Sequence, residues 1–181
     1  MNETLKVISE RYSCRAFDGV MPERAQLEAI ATAAIQSPSG MNRQPWKVFV
    51  ITNAELLAAM DKEGMEELAV SNEEAYERMM TRGGKLFYNA PCMFLIAKLA
   101  STDLDCGIVS ENIALAASSM GLGNVICGLA GLAFSGANAD ELCQKIGFPE
   151  GYEFGMSVLV GHAVNSGTPH EADKDKIAWV E

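Results

Sequence analysis

The chain is 181 residues long and carries 14 basic and 24 acidic side chains, which give it a formal net charge of −10. A chain of this length can bury roughly 70% of its unfolded surface, so one hydrophobic core can form without disulfides or structural metals. The acidic surplus would repel a phosphate backbone over most of the surface, which excludes nucleic acid as a partner.

The N-terminal half reads as a helix, a polar loop and a buried strand. Pro22 suits the first turn of a helix, and apolar residues recur at helical spacing from Leu27 to Ile35. The helix must end at the Ser-Pro-Ser-Gly sequence of residues 37–40. The apolar run within Lys47–Thr52 then predicts a buried strand.

The rest of the chain continues this alternation of helices and short strands. Residues 54–82 are predicted to be helical with a polar face, to turn near Gly64 and at 71–72, and to form a mobile cover. The remaining predicted elements are a strand at Cys92–Leu99, a helix at Asp105–Met120, a strand at Asn124–Leu129, a helix at 137–146 and a strand at Phe154–Val160. The helix at Asp105–Met120 is apolar nearly all round from Ile113 to Ala117, so it must be buried on several sides.

Two arginines near the N-terminus indicate an anion site. Arg11 and Arg15 are four residues apart, so on a helix they would share one face and repel each other unless an anion lies between them. With the hydroxyl of Ser13 they suit a doubly charged phosphate better than a single carboxylate. The alternative is that both arginines are solvated and pair with Glu10 and Asp18.

The tail from residue 162 onward carries a second basic pair. In an extended chain Lys174 and Lys176 point to one side, away from Asp173 and Asp175, because side chains alternate. The two lysines could then face an anion. The alternative is a solvated run of charges.

The usual signatures of catalysis are missing. Gly121 and Gly123 follow a helix rather than a strand, and Gly83-Gly84-Lys85 lacks the remaining residues of a phosphate-binding loop. No nucleophile elbow surrounds a serine, and neither His162 nor His170 has a second metal ligand at helical spacing, so we assign no catalytic side chain and no metal site. A chain that holds a phosphate yet lacks these tools indicates a cofactor that carries the chemistry itself.

Cysteine usage and hydropathy indicate the compartment. The five cysteines form no Cys-x-x-Cys spacing, and their odd number disfavours a disulfide framework, as expected in a reducing cytoplasm. No stretch approaches the roughly 18 apolar residues that a membrane span needs, and no signal segment is seen at the N-terminus. We expect a cytoplasmic protein that does not bind membranes.

The sequence resembles the flavin-dependent nitroreductase family over essentially its whole length. The resemblance rests on the segments Arg11–Phe17, Ser37–Ser39, Asn42–Trp46, the Asp105–Met120 helix with its Gly-Leu-Gly ending, and Val160-Gly161. It implies one nitroreductase-like FMN-binding domain over residues 1–181, in a short form of the family. The implied fold is α+β, with a central mixed β-sheet flanked by helices, in an intertwined homodimer that binds two FMN molecules at the subunit interface.

The resemblance also implies which residues bind FMN. Arg11, Ser13 and Arg15, with Tyr12 in the same segment, would hold the phosphate and ribityl chain, and Lys174 and Lys176 would add a basic pair. Tyr12 stands where the family more often has a basic residue. The partner subunit would contribute Pro38, Ser39, Gly40 and Asn42, while the backbone of Gly128 and Leu129 would pass beside the flavin edge.

The implied activity is that of an NAD(P)H-dependent FMN oxidoreductase. A hydride from NAD(P)H would pass through flavin N5 to a nitroaromatic, quinone or similar conjugated acceptor. One open flavin face would make donor and acceptor take turns, which predicts a ping-pong mechanism. The alternative is a non-catalytic FMN-binding protein that serves as a redox sensor or flavin reservoir.

Overall fold

The computed structural model describes residues 2–181. Its helices lie where apolar residues recur at helical spacing. The α-helices are α1 (Glu3–Glu10), α2 (Arg24–Ile35), α3 (Ala54–Ser71), α4 (Glu73–Met80), α5 (Asp103–Ser119) and α6 (Ala139–Ile146). Three short 3₁₀ helices lie at Gly40–Asn42, Gly128–Phe134 and Lys174–Lys176. Side chains cap several of the helices: Asn53, for example, accepts the N–H of Leu56 at 2.9 Å at the start of α3.

Four strands form one sheet. They are β1 (Trp46–Ile51), β2 (Cys92–Lys98), β3 (Gly123–Ile126) and β4 (Glu153–Gly161), in the order β1-β2-β4-β3. All the pairings between these strands are antiparallel. Parallel pairing within residues 2–181 is limited to a single bridge, in which Ser13 lies beside Asn124 of β3. The α+β fold class expected from the sequence is confirmed, with the mixed character of the sheet reduced to that bridge.

The sheet separates two hydrophobic clusters, and the alternation of side chains along β2 divides its residues between them. Cys92, Phe94 and Ile96 pack on one face with α2 and α5. Met93 and Leu95 pack on the other face, with α3 and the 3₁₀ helix at Gly128–Phe134. Every residue of β2 is buried, as expected for a strand covered on both faces.

Most predicted elements are confirmed, and two of them differ in their course or their end. Helix α3 runs unbroken through Gly64 and turns only at 71–72. Gly64 is required by packing instead: a Cβ there would lie 2.6 Å from Leu86 Cδ1, where the 3₁₀ helix at Gly128–Phe134 crosses α3. Strand β3 ends at Ile126, and the 3₁₀ helix replaces the rest of the predicted strand.

Helix α3 also belongs to the core, which corrects the expectation of a mobile cover at residues 54–82. Met60 is fully buried and Leu68 nearly so, both in the cluster on that face of the sheet. The predicted apolar helix is confirmed: in α5 the side chains of Ile113, Ala114 and Ala117 are fully buried. None of the helices formed by residues 2–181 is long and apolar enough to span a membrane.

Candidate functional site

The segment from Arg11 to Arg15 is extended rather than helical, which corrects the predicted geometry. Helix α1 ends at Glu10, and Arg11 has φ −60° and ψ 136°. Cys14 points into the core, and its N–H donates to the carbonyl oxygen of Asn124 at 2.8 Å. Because side chains alternate along an extended chain, Arg11, Ser13 and Arg15 share the side opposite to Cys14.

Neither arginine of this segment has an acidic partner. No carboxylate oxygen of residues 2–181 lies within 4 Å of the guanidinium of Arg11 or Arg15. Asp18 instead accepts the N–H of Val20 at 2.8 Å. The alternative of pairing with Glu10 and Asp18 is therefore wrong, and two cationic groups remain available to an external anion.

The backbone at Gly128 and Leu129 lies in the same region. It follows the buried Cys127, whose thiol contacts the carbonyl oxygen of Leu86 at 3.9 Å. Burial raises the pKa of the Cys127 thiol, while the amides of Ala130 and Leu129 and the positive charge of Arg15 act in the opposite direction. The arginine segment lies near the start of the 3₁₀ helix, because Ser13 pairs with Asn124 of β3 and β3 ends two residues before Gly128. Both Gly128 and Leu129 are exposed there.

A carboxylate that the sequence did not single out anchors the neighbouring turn. Asp61 of α3 accepts the N–H of Phe87 at 2.8 Å. Burial raises the pKa of Asp61, and the bond from Phe87 and the charge of Lys85 partly oppose this shift. Lys85 donates to the side-chain oxygen of Asn89 at 2.5 Å. Asp61 lies four residues from both Leu57 and Met65 on the buried face of α3, so an acidic residue within an apolar row was the sequence signal that could have found it.

A cavity of about 800 Å³ lies between α3, α4 and the segment 84–91. Its wall is mostly apolar and includes Met65, Tyr76 and Met80, with Asp61 and Lys85 as polar members. The predicted cofactor-binding residues do not line it. The cavity is therefore separate from the arginine segment.

The loop that contains the remaining candidates has an unusual backbone. Met41, Asn42 and Gln44 adopt positive φ values of 53°, 54° and 48°. Ser39 Oγ accepts the N–H of Gln44 at 2.8 Å, which closes the loop on itself. Non-glycine residues rarely occupy this region, and such strain is found mainly at functional sites. The side chain of Met41 is 77% exposed, so the loop projects from the surface.

This loop and the arginine segment lie at diagonally opposite corners of the sheet. Ser13 pairs with β3, in a row of paired residues that crosses the sheet to Cys92 at the start of β2. The loop leads into Trp46 of β1, which pairs with Lys98 at the other end of β2. Four strand spacings of about 4.8 Å and six residues of about 3.4 Å each separate the two corners. One chain therefore does not bring these two groups of candidate residues together.

The tail is attached to the arginine segment through Tyr12. The Tyr12 hydroxyl donates to the carbonyl oxygen of Asn165 at 3.1 Å, and Gly167 packs so closely on its ring that a Cβ there would lie 2.1 Å from Tyr12 Cδ2. Tyr12 thus anchors the tail. Lys174 and Lys176 lie in a 3₁₀ turn, so the predicted extended alternation is wrong for them. Both lysines remain exposed.

Fold and site together define a class of protein. It is an α+β protein in which two arginines without a carboxylate partner lie beside the last strand of an antiparallel sheet. The nitroreductase family model matches residues 8–162. The chain belongs to the nitroreductase family, as its sequence indicated, and it is an oxidoreductase of that family.

Individual relatives agree with this assignment. A nitroreductase from Desulfitobacterium hafniense, crystallised with bound FMN, is 54% identical, with a TM-score of 0.96 and full coverage of both chains. A protein of Archaeoglobus fulgidus with the provisional name NADH dehydrogenase/NAD(P)H nitroreductase is 28% identical, over 96% of this chain and 92% of its own. The NADPH-flavin oxidoreductase of Vibrio harveyi is also 28% identical, over 90% of this chain and 66% of its own.

Proposed function

We propose that the protein is an FMN oxidoreductase that takes a hydride from NAD(P)H and passes it to a nitroaromatic, a quinone or a similar conjugated acceptor. Bound FMN supplies the hydride-accepting atom, N5. The observation that carries the proposal is the outward row of Arg11, Ser13 and Arg15, which have no acidic partner, in a chain 54% identical to an FMN-bound nitroreductase. The whole chain acts as one FMN-binding domain.

The residues of the site fit the parts of this cofactor. Two guanidiniums and a hydroxyl on one side of an extended segment provide charge-assisted bonds for a phosphate. The exposed backbone at Gly128 and Leu129 follows β3, which pairs with the arginine segment at Ser13, and it provides an edge beside which a ring can lie. Positive charge from Arg15 close to that edge would stabilise negative charge that develops on the ring.

The functional unit is a homodimer. The loop residues Pro38, Ser39, Gly40 and Asn42 lie diagonally across the sheet from the arginine segment, so they complete the site only if they come from a second copy. The single chain also leaves apolar side chains unpartnered: Leu104 on α5 is 81% exposed and Trp179 in the tail is 87% exposed. Strand β1 is an unpaired sheet edge, a further surface that a second chain can cover.

The protein's own side chains bind and orient, and no side-chain acid is assigned. Donor and acceptor use the same open face in turn, which gives ping-pong kinetics. We place the reaction in the cytoplasm, where five unpaired thiols, four of them buried, remain reduced. The alternative function is an FMN-binding redox sensor or flavin reservoir without turnover.

Anaerobic addition of NADPH to the yellow protein tests the proposal. We expect prompt loss of the flavin absorbance near 450 nm, and its return when a quinone is added, as expected of an intermediate that stores two electrons. Dithionite serves as the control, because it reduces bound flavin whether or not the nicotinamide can. Bleaching by dithionite but not by NADPH or NADH would favour the sensor or reservoir.

A further inference from the structure

Helix α5 holds the strained loop before β1 through two side chains. Asn112 Nδ2 donates to Ser37 Oγ at 2.9 Å and to the carbonyl oxygen of Ala33 at 3.2 Å. Asp105 Oδ1 accepts the N–H of Gly40 at 3.3 Å. Asp105 and Asn112 are two helical turns apart, which is about 10.5 Å along α5. Their partners Gly40 and Ser37 are three residues apart, and three extended residues span about the same distance. The two side chains therefore hold the loop at two matched points.

The loop needs such tethers because its backbone is strained. Met41, Asn42 and Gln44 occupy the left-handed region, which non-glycine residues keep only where the surroundings over-determine them. The bonds inside the loop, from Gln44 to Ser39 and Asn42, fix its shape but not its position on the protein. Position depends on the contacts with α5, and Ser37 is the buried end of the loop, with only 4% of its surface exposed.

We propose that Asn112 is a positioning residue that holds this loop where it can reach the FMN of the partner subunit, with Asp105 as the second tether. The proposal rests on the proposed function, in which Ser39, Gly40 and Asn42 contact that cofactor. Asn112 acts through the loop, because it bonds to Ser37 at the start of the loop and to Ala33 in the last turn of α2, which leads into the loop. A loop that samples other positions is binding-competent for only a fraction of the time, and the apparent affinity falls by that fraction.

Titration of the apoprotein with FMN, followed by quenching of flavin fluorescence, tests the role of Asn112. We expect Asn112→Leu to raise the Kd for FMN about tenfold, which corresponds to the loss of one or two part-buried hydrogen bonds. Visible circular dichroism at saturating FMN should change as well, because the groups around the flavin move. Ser37→Ala removes only one of the two bonds and should raise the Kd about threefold, with less risk to folding.

Matched variants separate positioning from general stability. Ser110→Ala removes a buried hydroxyl of the same helix, which donates to Cys106 and does not contact the loop, so it should keep the parental Kd and dichroism. Asp105→Asn retains an acceptor for Gly40 and should bind FMN nearly as the parent does, whereas Asp105→Ala should bind it more weakly.

Two results would overturn the inference in distinguishable ways. If Asn112→Leu and Ser37→Ala bind FMN with parental Kd and dichroism, even with a lower Tm, the positioning role is wrong and the proposed function stands. If the parent protein fails to bind FMN, both are wrong.

Discussion

At the scale of single residues, the backbone from Arg11 to Arg15 decides where positive charge is presented. The extended conformation places Cys14 in the core and both arginines with Ser13 on the outer side, where no carboxylate lies within 4 Å of either guanidinium. Two other surface arginines are paired, since Arg24 contacts Glu28 at 2.8 Å and Arg78 contacts Glu74 at 3.0 Å, whereas Arg43 and Arg82 also lack a carboxylate within 4 Å among residues 2–181. The feature particular to the candidate site is that two arginines without an acidic partner share one side of a single extended segment.

We predict that Arg15→Ala purifies with much less FMN while remaining folded. Losing a charge-assisted bond to phosphate costs about 1.5–3 kcal/mol, which corresponds to about ten- to hundredfold in affinity. The flavin-to-protein ratio of the purified protein measures the effect. Arg24→Ala is the control, because this exposed arginine pairs with Glu28 on α2 and is not one of the candidate site residues, so the variant should keep full flavin content. Full occupancy in the double variant Arg11→Ala/Arg15→Ala would rule out the phosphate assignment.

At the scale of elements, α3 illustrates how one residue lets two segments pack. The 3₁₀ helix at Gly128–Phe134 crosses α3 at Gly64, where the missing side chain leaves room for Leu86 and the backbone of Ala133. The same 3₁₀ helix carries Gly128 and Leu129 toward the arginine segment. Packing at Gly64 therefore supports the position of the candidate flavin edge.

We predict that Gly64→Val destabilises the protein by about 1–3 kcal/mol, because added volume in a packed core forces neighbouring groups to shift. Urea unfolding measures the change in the free energy of unfolding. Ala69→Val on the exposed side of α3 is the matched control, since it carries only the helix-propensity penalty of about 0.5 kcal/mol. Equal effects of the two substitutions would show that Gly64 is not needed for close packing.

At the scale of the whole molecule, two features of the single chain support the proposed homodimer. The two groups of candidate residues occupy opposite corners of the sheet, and the tail leaves Ile177, Trp179 and Val180 largely exposed. An exposed apolar segment of this kind indicates an interface rather than a solvated end. In the homodimer that we propose, a second copy covers the tail and brings the strained loop to the arginine segment.

We predict that the parent sediments as a dimer at micromolar concentration, with a total interface above roughly 2,000 Å², and that truncation after Gly167 weakens both dimerisation and FMN retention.

Point changes in the tail should separate the loss of dimerisation from the loss of FMN retention. Trp179→Ala should mainly loosen the subunits, through lost apolar burial of about 1.5–3 kcal/mol. Lys174→Ala/Lys176→Ala should weaken FMN binding in a salt-dependent manner, because ions screen contacts between exposed charges.

Two outcomes would contradict these assignments of the tail. A flavin-loaded monomer in sedimentation would refute the dimer. Equal FMN affinity of the parent and the double lysine variant, at low and at high salt, would leave the tail with a structural role alone.

The sequence by itself determined most of the elements, and it predicted the donor set of the candidate site. Helices α2 and α5 and strands β1, β2 and β4 could be predicted because hydrophobic periodicity is a local property. The donor set of Arg11, Ser13 and Arg15 also indicated an anion. Guanidinium and hydroxyl groups have the same donors whether the backbone that carries them is helical or extended. The prediction of a helix there was wrong because pairing with β3, a long-range contact, overrides a local spacing.

Only the tertiary structure decided which residues meet. The strand order β1-β2-β4-β3 separates the strained loop from the arginine segment, and no spacing along the chain encodes that order. Asp105 and Asn112 look like ordinary polar positions of helices until their partners, far away in sequence, are known. Hydrogen bonds between distant segments form only after the chain has folded, so their ends cannot be matched from local sequence.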